Sequence, residues 1–284
     1  MTQHFIVIGN PITHSKSPEI HTLFAAQTGI EISYQRQYCP DDAASFTAVL
    51  EAFFQGGGVG ATLYLLNKSL MTAARRAVLS EHAKVAGAVN TLLLNKALVK
   101  SGVLITEALY GDNTDGQGLV NHIVSLGWRL NGARVALIGA GGAARGVILP
   151  LIEAGIAHLT IANRTLSKAT ALVTELSAAS AAIHEQQIET CRTADLNGKF
   201  DIIINATSIG LSADTLPLSD TLNGDYAYDM MYGRTLPFLQ HFSARGAQIS
   251  DGYGMLIGQA ALSFERWTGH TIDVAQATET LHSR

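Results

Sequence analysis

Arg134-Val-Ala-Leu-Ile-Gly-Ala-Gly-Gly-Ala-Ala-Arg145 decides the fold. Val135 to Ile138 is an apolar run of strand length, Gly139 follows at once, and Gly142 to Leu151 reads as a helix. Gly139, Gly141 and Ala144 fit G-x-G-x-x-G/A, the turn that joins the first strand of a dinucleotide-binding unit to its helix. Gly139 permits the tight turn. Gly141 lets backbone approach a pyrophosphate, and a small residue at Ala144 lets helix and strand pack closely. The helix start then offers N–H groups without intrahelical partners, in a partial positive charge that favours phosphate. A glycine-rich turn in any α/β domain is the competing reading, so the next strand matters.

That strand is His158 to Ala162, and it ends in Asn163-Arg-Thr165. A unit built for NAD places Asp or Glu there, to bind the ribose 2′-OH. This chain has Arg164, with Lys168 close behind. Two cations without a carboxylate suit a 2′-phosphate, so NADP is the expected cofactor. Ala182 to His184, Asp201 to Asn205, Ala227 to Met230 and Gln248 to Ser250 continue as strands with helices between. A doubly wound sheet is expected for this half.

Upstream the same alternation holds. Phe5 to Ile8 and Ile32 to Tyr38 read as strands, and Val59 to Leu66 is strand-like. Pro18 opens a helix, Asp41-Asp42 open another, and Lys68 to about Ser80 reads as a third. The fold class is therefore α/β throughout. The polar turn Gly111-Asp-Asn-Thr-Asp-Gly116 precedes a helix from Gln117 to Leu126 and marks the expected domain boundary. Residues 1–115 would form one domain and 116–253 the nucleotide-binding one, with helices over about 254–284 packing back onto the first. A length of 284 residues suits about two domains.

Composition excludes several classes. Net charge is −4 and the basic residues do not cluster, which argues against nucleic acid and anionic membrane as partners. Cys39 and Cys191 lie far apart without a C-x-x-C, which suits a reduced cytoplasmic setting. The start lacks a basic n-region and so does not read as a signal peptide. His14 and His21 have no third ligand nearby, so no metal is expected.

Eight motifs, in order, resemble the shikimate dehydrogenase family, and they cover nearly the whole chain. They are Gly9-Asn-Pro-Ile-x-His-Ser-Lys-Ser-Pro18, Ala86-Gly-Ala-Val-Asn-Thr91, Gly111-Asp-Asn-Thr-Asp-Gly116, Gly139-Ala-Gly-Gly-Ala143, Asn163-Arg-Thr165, Asn205-Ala-Thr207, Tyr228-Asp-Met-Met-Tyr232 and Asp251-Gly-Tyr-Gly-Met255. The resemblance implies an N-terminal α/β substrate domain and a C-terminal Rossmann domain. It also implies NADP-dependent interconversion of 3-dehydroshikimate and shikimate, on the route to chorismate and the aromatic amino acids, by a monomer or homodimer.

The resemblance implies Lys68 and Asp115 as the catalytic pair. A lysine and an aspartate close together can pass the proton that accompanies hydride transfer, because the carboxylate holds the ammonium. By the same resemblance Ser15 and Ser17 hold the substrate carboxylate, and Asn90 and Gln259 bind ring hydroxyls. Tyr64 falls at a substrate-binding position, and Tyr232 reaches substrate. Gly139, Ala140, Gly141, Gly142, Ala143, Asn163, Arg164, Thr165, Lys168 and Thr207 would hold the nucleotide. Met230 and Gly252 would line the nicotinamide, and Glu81 lies where some members carry an acid near the cofactor. Each has a plainer reading beside it. Ser17 can cap a helix, as can Thr114 or Asp115, Asn90 and Gln259 can be satisfied core amides, Met230 and Tyr232 can be packing, and Glu81 can sit on a solvated helix face.

One stretch departs from the family. The family pattern after the glycines is Gly-Ala-Asn-Val-Thr-Val-Pro-x-Lys, whereas this chain reads Gly60-Ala-Thr-Leu-Tyr-Leu-Leu-Asn-Lys68. Thr62 replaces Asn, Tyr64 replaces a substrate-binding Thr and Leu66 replaces Pro, while Lys68 keeps its spacing from Gly60. Asn95 to Leu109 is also longer than the family's usual turn. A local frame change in the coding DNA across about residues 62–77 and a real divergence both fit. Divergence would lead either to another polyol acid such as quinate, or to a nucleotide-binding relative with impaired catalysis.

Overall fold

The computed structural model describes residues 1–64, 78–95, 108–184, 187–209 and 217–282. The chain forms two compact units, Met1–Asp115 together with Ile257–Arg284, and Gly116–Leu256.

The first unit carries a six-stranded mixed sheet. Its strands are β1 (Gln3–Gly9), β2 (Ile32–Tyr38), β3 (Gly60–Tyr64), β4 (Val78–Leu79), β5 (Thr91–Leu94) and β6 (Leu109–Asp112), in the order β2-β1-β3-β5-β6-β4. β1 runs parallel to β2 and β3, and β5 is antiparallel to both its neighbours. Side chains alternate between the two faces. On one face Ile6, Ile8, Ala61, Leu63 and Leu92 pack with Phe46, Leu50 and Phe54 of the helix Ala43–Gln55. On the other face, Phe5 and Tyr34 meet His21 of the helix Ser17–Thr28 and Trp267 of the C-terminal helix Tyr253–Thr268. The contact at Gly60 is close, since a Cβ there would lie 2.3 Å from the Trp267 indole nitrogen. That nitrogen donates to the Leu92 carbonyl at 3.0 Å, and Arg266 pairs with the buried Asp112.

His21 is buried in this second face. It stacks on Tyr34 with ring centroids 4.5 Å apart, and its Nδ1 has no hydrogen-bond partner. Burial lowers its pKa to about 3. The imidazole is therefore neutral when folded but takes a proton near pH 6.5 when unfolded. Its contribution to stability is present above that pH and is lost as pH falls toward 3. His21→Phe is expected to remove up to about 1.4 kcal/mol of acid destabilisation per pH unit in that window. Urea unfolding of both proteins at pH 7, 5 and 4 checks this, and a constant difference across the three values would refute it.

The second unit is a parallel six-stranded sheet. Its strands are β7 (Arg134–Ile138), β8 (His158–Asn163), β9 (Ile188–Arg192), β10 (Gly198–Asn205), β11 (Leu222–Asp229) and β12 (Gln248–Ser250), in the order β12-β11-β10-β7-β8-β9. This is the doubly wound order, with its reversal between β7 and β10. Helices Gly142–Glu153, Leu166–Ala179 and Pro237–Ser243 connect the strands.

Two local expectations need correction. Ala182 to His184 is not a strand; a turn closed by Ile183 N–H on the Ser180 carbonyl occupies it. The strand beside β8 is Ile188–Arg192, an edge strand that buries only Ile188 and so carries little apolar signal. The helix placed over Lys68 to Ser80 does not reach Ser80, because Val78–Leu79 pairs with β6 and Ser80 caps the next helix, Glu81–Ala86. Residues 68–77 lie outside the described residues.

Candidate active site

Polar side chains of the first unit gather on the face that carries Tyr34 and Thr62. Ser15 is buried, and its hydroxyl donates to Ser17 Oγ at 3.2 Å while accepting from the Ser17 N–H. The helix that follows has Lys16 at its N-cap without a side-chain cap, and Pro18 in its first turn. Ser17 is thus not the cap, and both hydroxyls lie at a helix N-terminus, where an anion is favoured. Thr62 is buried and shares a 2.7 Å hydrogen bond with the Tyr34 hydroxyl, which also bonds Ser17. Burial raises the Tyr34 pKa.

Across the β3–β5 ladder Thr62 faces Thr91, and Asn90 stands next to it. Asn90 Nδ2 donates to Asp115 Oδ1 at 2.8 Å and to Thr114 Oγ1 at 3.0 Å, while its Oδ1 accepts from the Thr114 N–H at 3.1 Å. Thr114 Oγ1 also bonds the Gln259 backbone carbonyl at 3.0 Å. Asp115 is the first residue of the helix Asp115–Ser125. Burial raises its pKa, and the Asn90 hydrogen bond partly opposes that rise. The amide of Asn90 is therefore satisfied, but by residues of the same constellation rather than by unrelated core groups.

Tyr64 is half-buried and falls on the same face of β3 as Gly60 and Thr62. Its backbone approaches Gly9 so closely that a Cβ at residue 9 would lie 2.2 Å from the Tyr64 carbonyl oxygen. Lys68 and Leu66 lie outside the described residues. Glu81 is exposed in the first turn of its helix.

In the second unit the nucleotide candidates follow the carboxyl ends of adjacent parallel strands. Gly139 has φ 122° and packs against Ala206 and Thr207, so a side chain there would be strained and tightly placed. A Cβ at Gly141 would meet nothing within 4 Å, and no side chain caps the helix that starts at Gly142. Open space over Gly141 and an uncapped helix start, with Ala140 and Ala143 flanking, fit a pyrophosphate. After β8, Asn163 Nδ2 donates to the Thr165 carbonyl at 2.8 Å and holds the turn that displays Arg164. Arg164 and Lys168 are exposed and make no ion pair among the described residues. After β10, Thr207 bonds Asn205 Oδ1 through both N–H and hydroxyl. Gly252 packs on Met230, where a Cβ would lie 2.2 Å from its carbonyl oxygen. Tyr232 packs against Tyr253 in this unit.

The sequence pointed to no site role for Tyr34, Arg36 or Asp229, and to Thr114 only as a helix cap. Tyr34 and Arg36 are two apart on a strand that was legible, so alternation alone puts them on one face. Asp229 is buried against Asn205 Nδ2 at 2.9 Å and ties the ends of β10 and β11 together.

Three family models match the chain. They are the shikimate dehydrogenase substrate binding domain over residues 7–92, shikimate / quinate 5-dehydrogenase over 119–212, and the shikimate 5'-dehydrogenase C-terminal domain over 252–282. A shikimate dehydrogenase (NADP(+)) of Psychrobacter arcticus is 76% identical over 99% of this chain and 98% of its own length. One of Acinetobacter baylyi is 44% identical over 95% of this chain and 97% of its own. The crystal structure of shikimate 5-dehydrogenase from Thermus thermophilus, in complex with NADP(H) and shikimate, superposes with a TM-score of 0.80 at 28% identity, covering 99% of each chain.

Proposed function

This chain belongs to the shikimate dehydrogenase family, and on that premise we propose that it reduces 3-dehydroshikimate reversibly to shikimate with NADP, using Lys68 and Asp115 to handle the proton. The observation that carries the reading is Asn90 joined to Asp115 and Thr114, next to Thr91, which pairs with Thr62, while Tyr34 joins Thr62 to Ser17. Hydroxyls at a helix start suit the substrate carboxylate. The amides of Asn90 and Gln259 suit ring hydroxyls, and Tyr64 and Tyr232 complete the substrate set. In the second unit Gly139 to Ala143, Asn163 to Thr165, Lys168, Thr207, Met230 and Gly252 suit the dinucleotide, and we keep Glu81 as a further contact. Two free cysteines suit a cytoplasmic enzyme, acting as a monomer or homodimer.

Reduction needs a hydride at the ketone carbon and a proton at its oxygen, and NADPH supplies the hydride. Lys68 gives the proton from its ammonium to the carbonyl oxygen. Asn90 donates to Oδ1 of Asp115 and so orients the carboxylate. The carboxylate keeps the lysine charged and aimed until the transfer, and the reverse reaction runs the same proton back.

The cofactor reading has its own test. Arg164→Ala is expected to weaken NADP binding by roughly tenfold to a hundredfold, the range for hydrogen bonds to a charged group, and to leave NAD binding nearly unchanged. Titration with both cofactors measures it. Equal losses for the two would remove Arg164 from 2′-phosphate recognition.

A further inference from the structure

The Ser15–Ser17 loop is held from behind by the edge strand. Arg36 of β2 donates to the Ser15 carbonyl through both Nε, at 3.0 Å, and Nη2, at 2.7 Å. The same Nη2 reaches Glu19 Oε1 at 2.6 Å, in the first turn of the helix that the loop opens. Two residues earlier, on the same face, the Tyr34 hydroxyl bonds Thr62 Oγ1 and Ser17. His21 stacks on the Tyr34 ring with planes 10° apart and fixes where that hydroxyl points.

We propose that Tyr34 and Arg36 are positioning residues that hold the serine loop in the geometry that binds the substrate carboxylate. The physical reason is entropic. A loop hydroxyl recognises an anion well only if it is already in place, because ordering it on binding subtracts from affinity. Arg36 is suited to this because a guanidinium engages one carbonyl with two donors, which a lysine ammonium cannot reproduce. Its pairing with Glu19 ties the loop to the helix, so carbonyl, loop and helix start move as one piece. Neither residue is assigned contact with substrate; both act through Ser15 and Ser17. The proposal rests on the substrate reading given above.

Steady-state kinetics of Arg36→Ala, Arg36→Lys and Tyr34→Phe, each with shikimate and with its carboxamide analogue, test it. Ser15→Ala serves as the reference. For Arg36→Ala the KM for shikimate is expected to rise roughly tenfold to a hundredfold, with kcat within about threefold of the natural protein. Arg36→Lys should recover only part of that loss, and Tyr34→Phe should raise KM about threefold to tenfold. With the carboxamide the KM changes should largely disappear, because the charge the loop receives is gone. A general loss of structure would instead change both substrates alike, and that result overturns the proposal. An Arg36→Ala protein with unaltered KM for shikimate overturns it too. Tyr34→Phe removes one oxygen and decides the matter if Arg36→Ala does not fold. If Ser15→Ala itself leaves the KM for shikimate unchanged, the substrate reading fails. If Ser15→Ala is impaired and the Arg36 and Tyr34 variants are not, the brace alone fails.

Discussion

Asp115→Asn is expected to cut turnover by about 10²–10⁴-fold, the usual worth of general acid–base help, while NADP affinity stays unchanged. The same substitution is expected to raise stability at neutral pH. Burial raises the Asp115 pKa, so the folded state holds the proton to a higher pH than the unfolded chain does. Its contribution to stability is full below the unfolded value, near 4, and is lost as pH rises through the folded pKa. At pH 7 the ionised group costs stability that a neutral amide of the same shape does not. Lys68→Ala should lose turnover to a similar degree, and the double variant should be no worse than either single one, since the two groups act as a unit. Shikimate oxidation followed at 340 nm, together with thermal unfolding at pH 7, measures both effects. An active natural enzyme indifferent to Lys68→Ala would remove that lysine from the mechanism, and an Asp115→Asn protein of full activity would remove the pair.

The second large effect concerns Tyr64. A phenol stands where the family pattern has a threonine, on the same strand face as Thr62. Thr62→Asn, Tyr64→Thr and Leu66→Pro together are expected to raise kcat/KM for shikimate by roughly tenfold or more. A good hydrogen bond to substrate and the removal of bulk are each worth about a factor of ten. Tyr64→Thr alone should give part of the gain. Unchanged kcat/KM in the triple variant would mean that the strand as it stands already serves the site.

Most of the frame was legible because local pattern and fold agree there. The finger at Gly139 predicted its strand and its helix, and the alternation after it predicted the doubly wound sheet, whose order is β9-β8-β7-β10-β11-β12. Two of the edge strands were not legible. Ile188–Arg192 buries a single apolar residue, and Val78–Leu79 is too short to show a period. The brace at Tyr34 and Arg36 was hidden for another reason. Its partners lie 17 to 28 residues away in sequence, and only the sheet brings them together.

The departure after Ala61 has a coding-level account. Thr62 to Thr72 can be written in codons that, read from the third base of the Thr62 codon, spell Thr-Leu-Pro-Phe-Lys-Gln-Glu-Leu-Asn-Asp. That order restores the Thr-x-Pro-x-Lys of the family pattern. A frame change here, restored before Leu79, would account for Tyr64 and Leu66, real divergence is the alternative, and sequencing the gene across these codons separates the two. A shifted frame would move the role of Lys68 to the lysine of the other reading, whereas an unshifted one leaves divergence as the cause.

The first unit is interrupted by about 140 residues of the second before Ile257 completes it. On the ribosome this sets an order of events. At about 5–20 residues per second, roughly seven to thirty seconds pass between the emergence of Gly116 and of Ile257. Throughout that interval Gly60 and Phe5 lack the indole of Trp267, and Asp112 lacks Arg266. The half that starts first is finished last, so nascent chains halted before residue 257 should resist protease over residues 116–256 and be cut within residues 1–115.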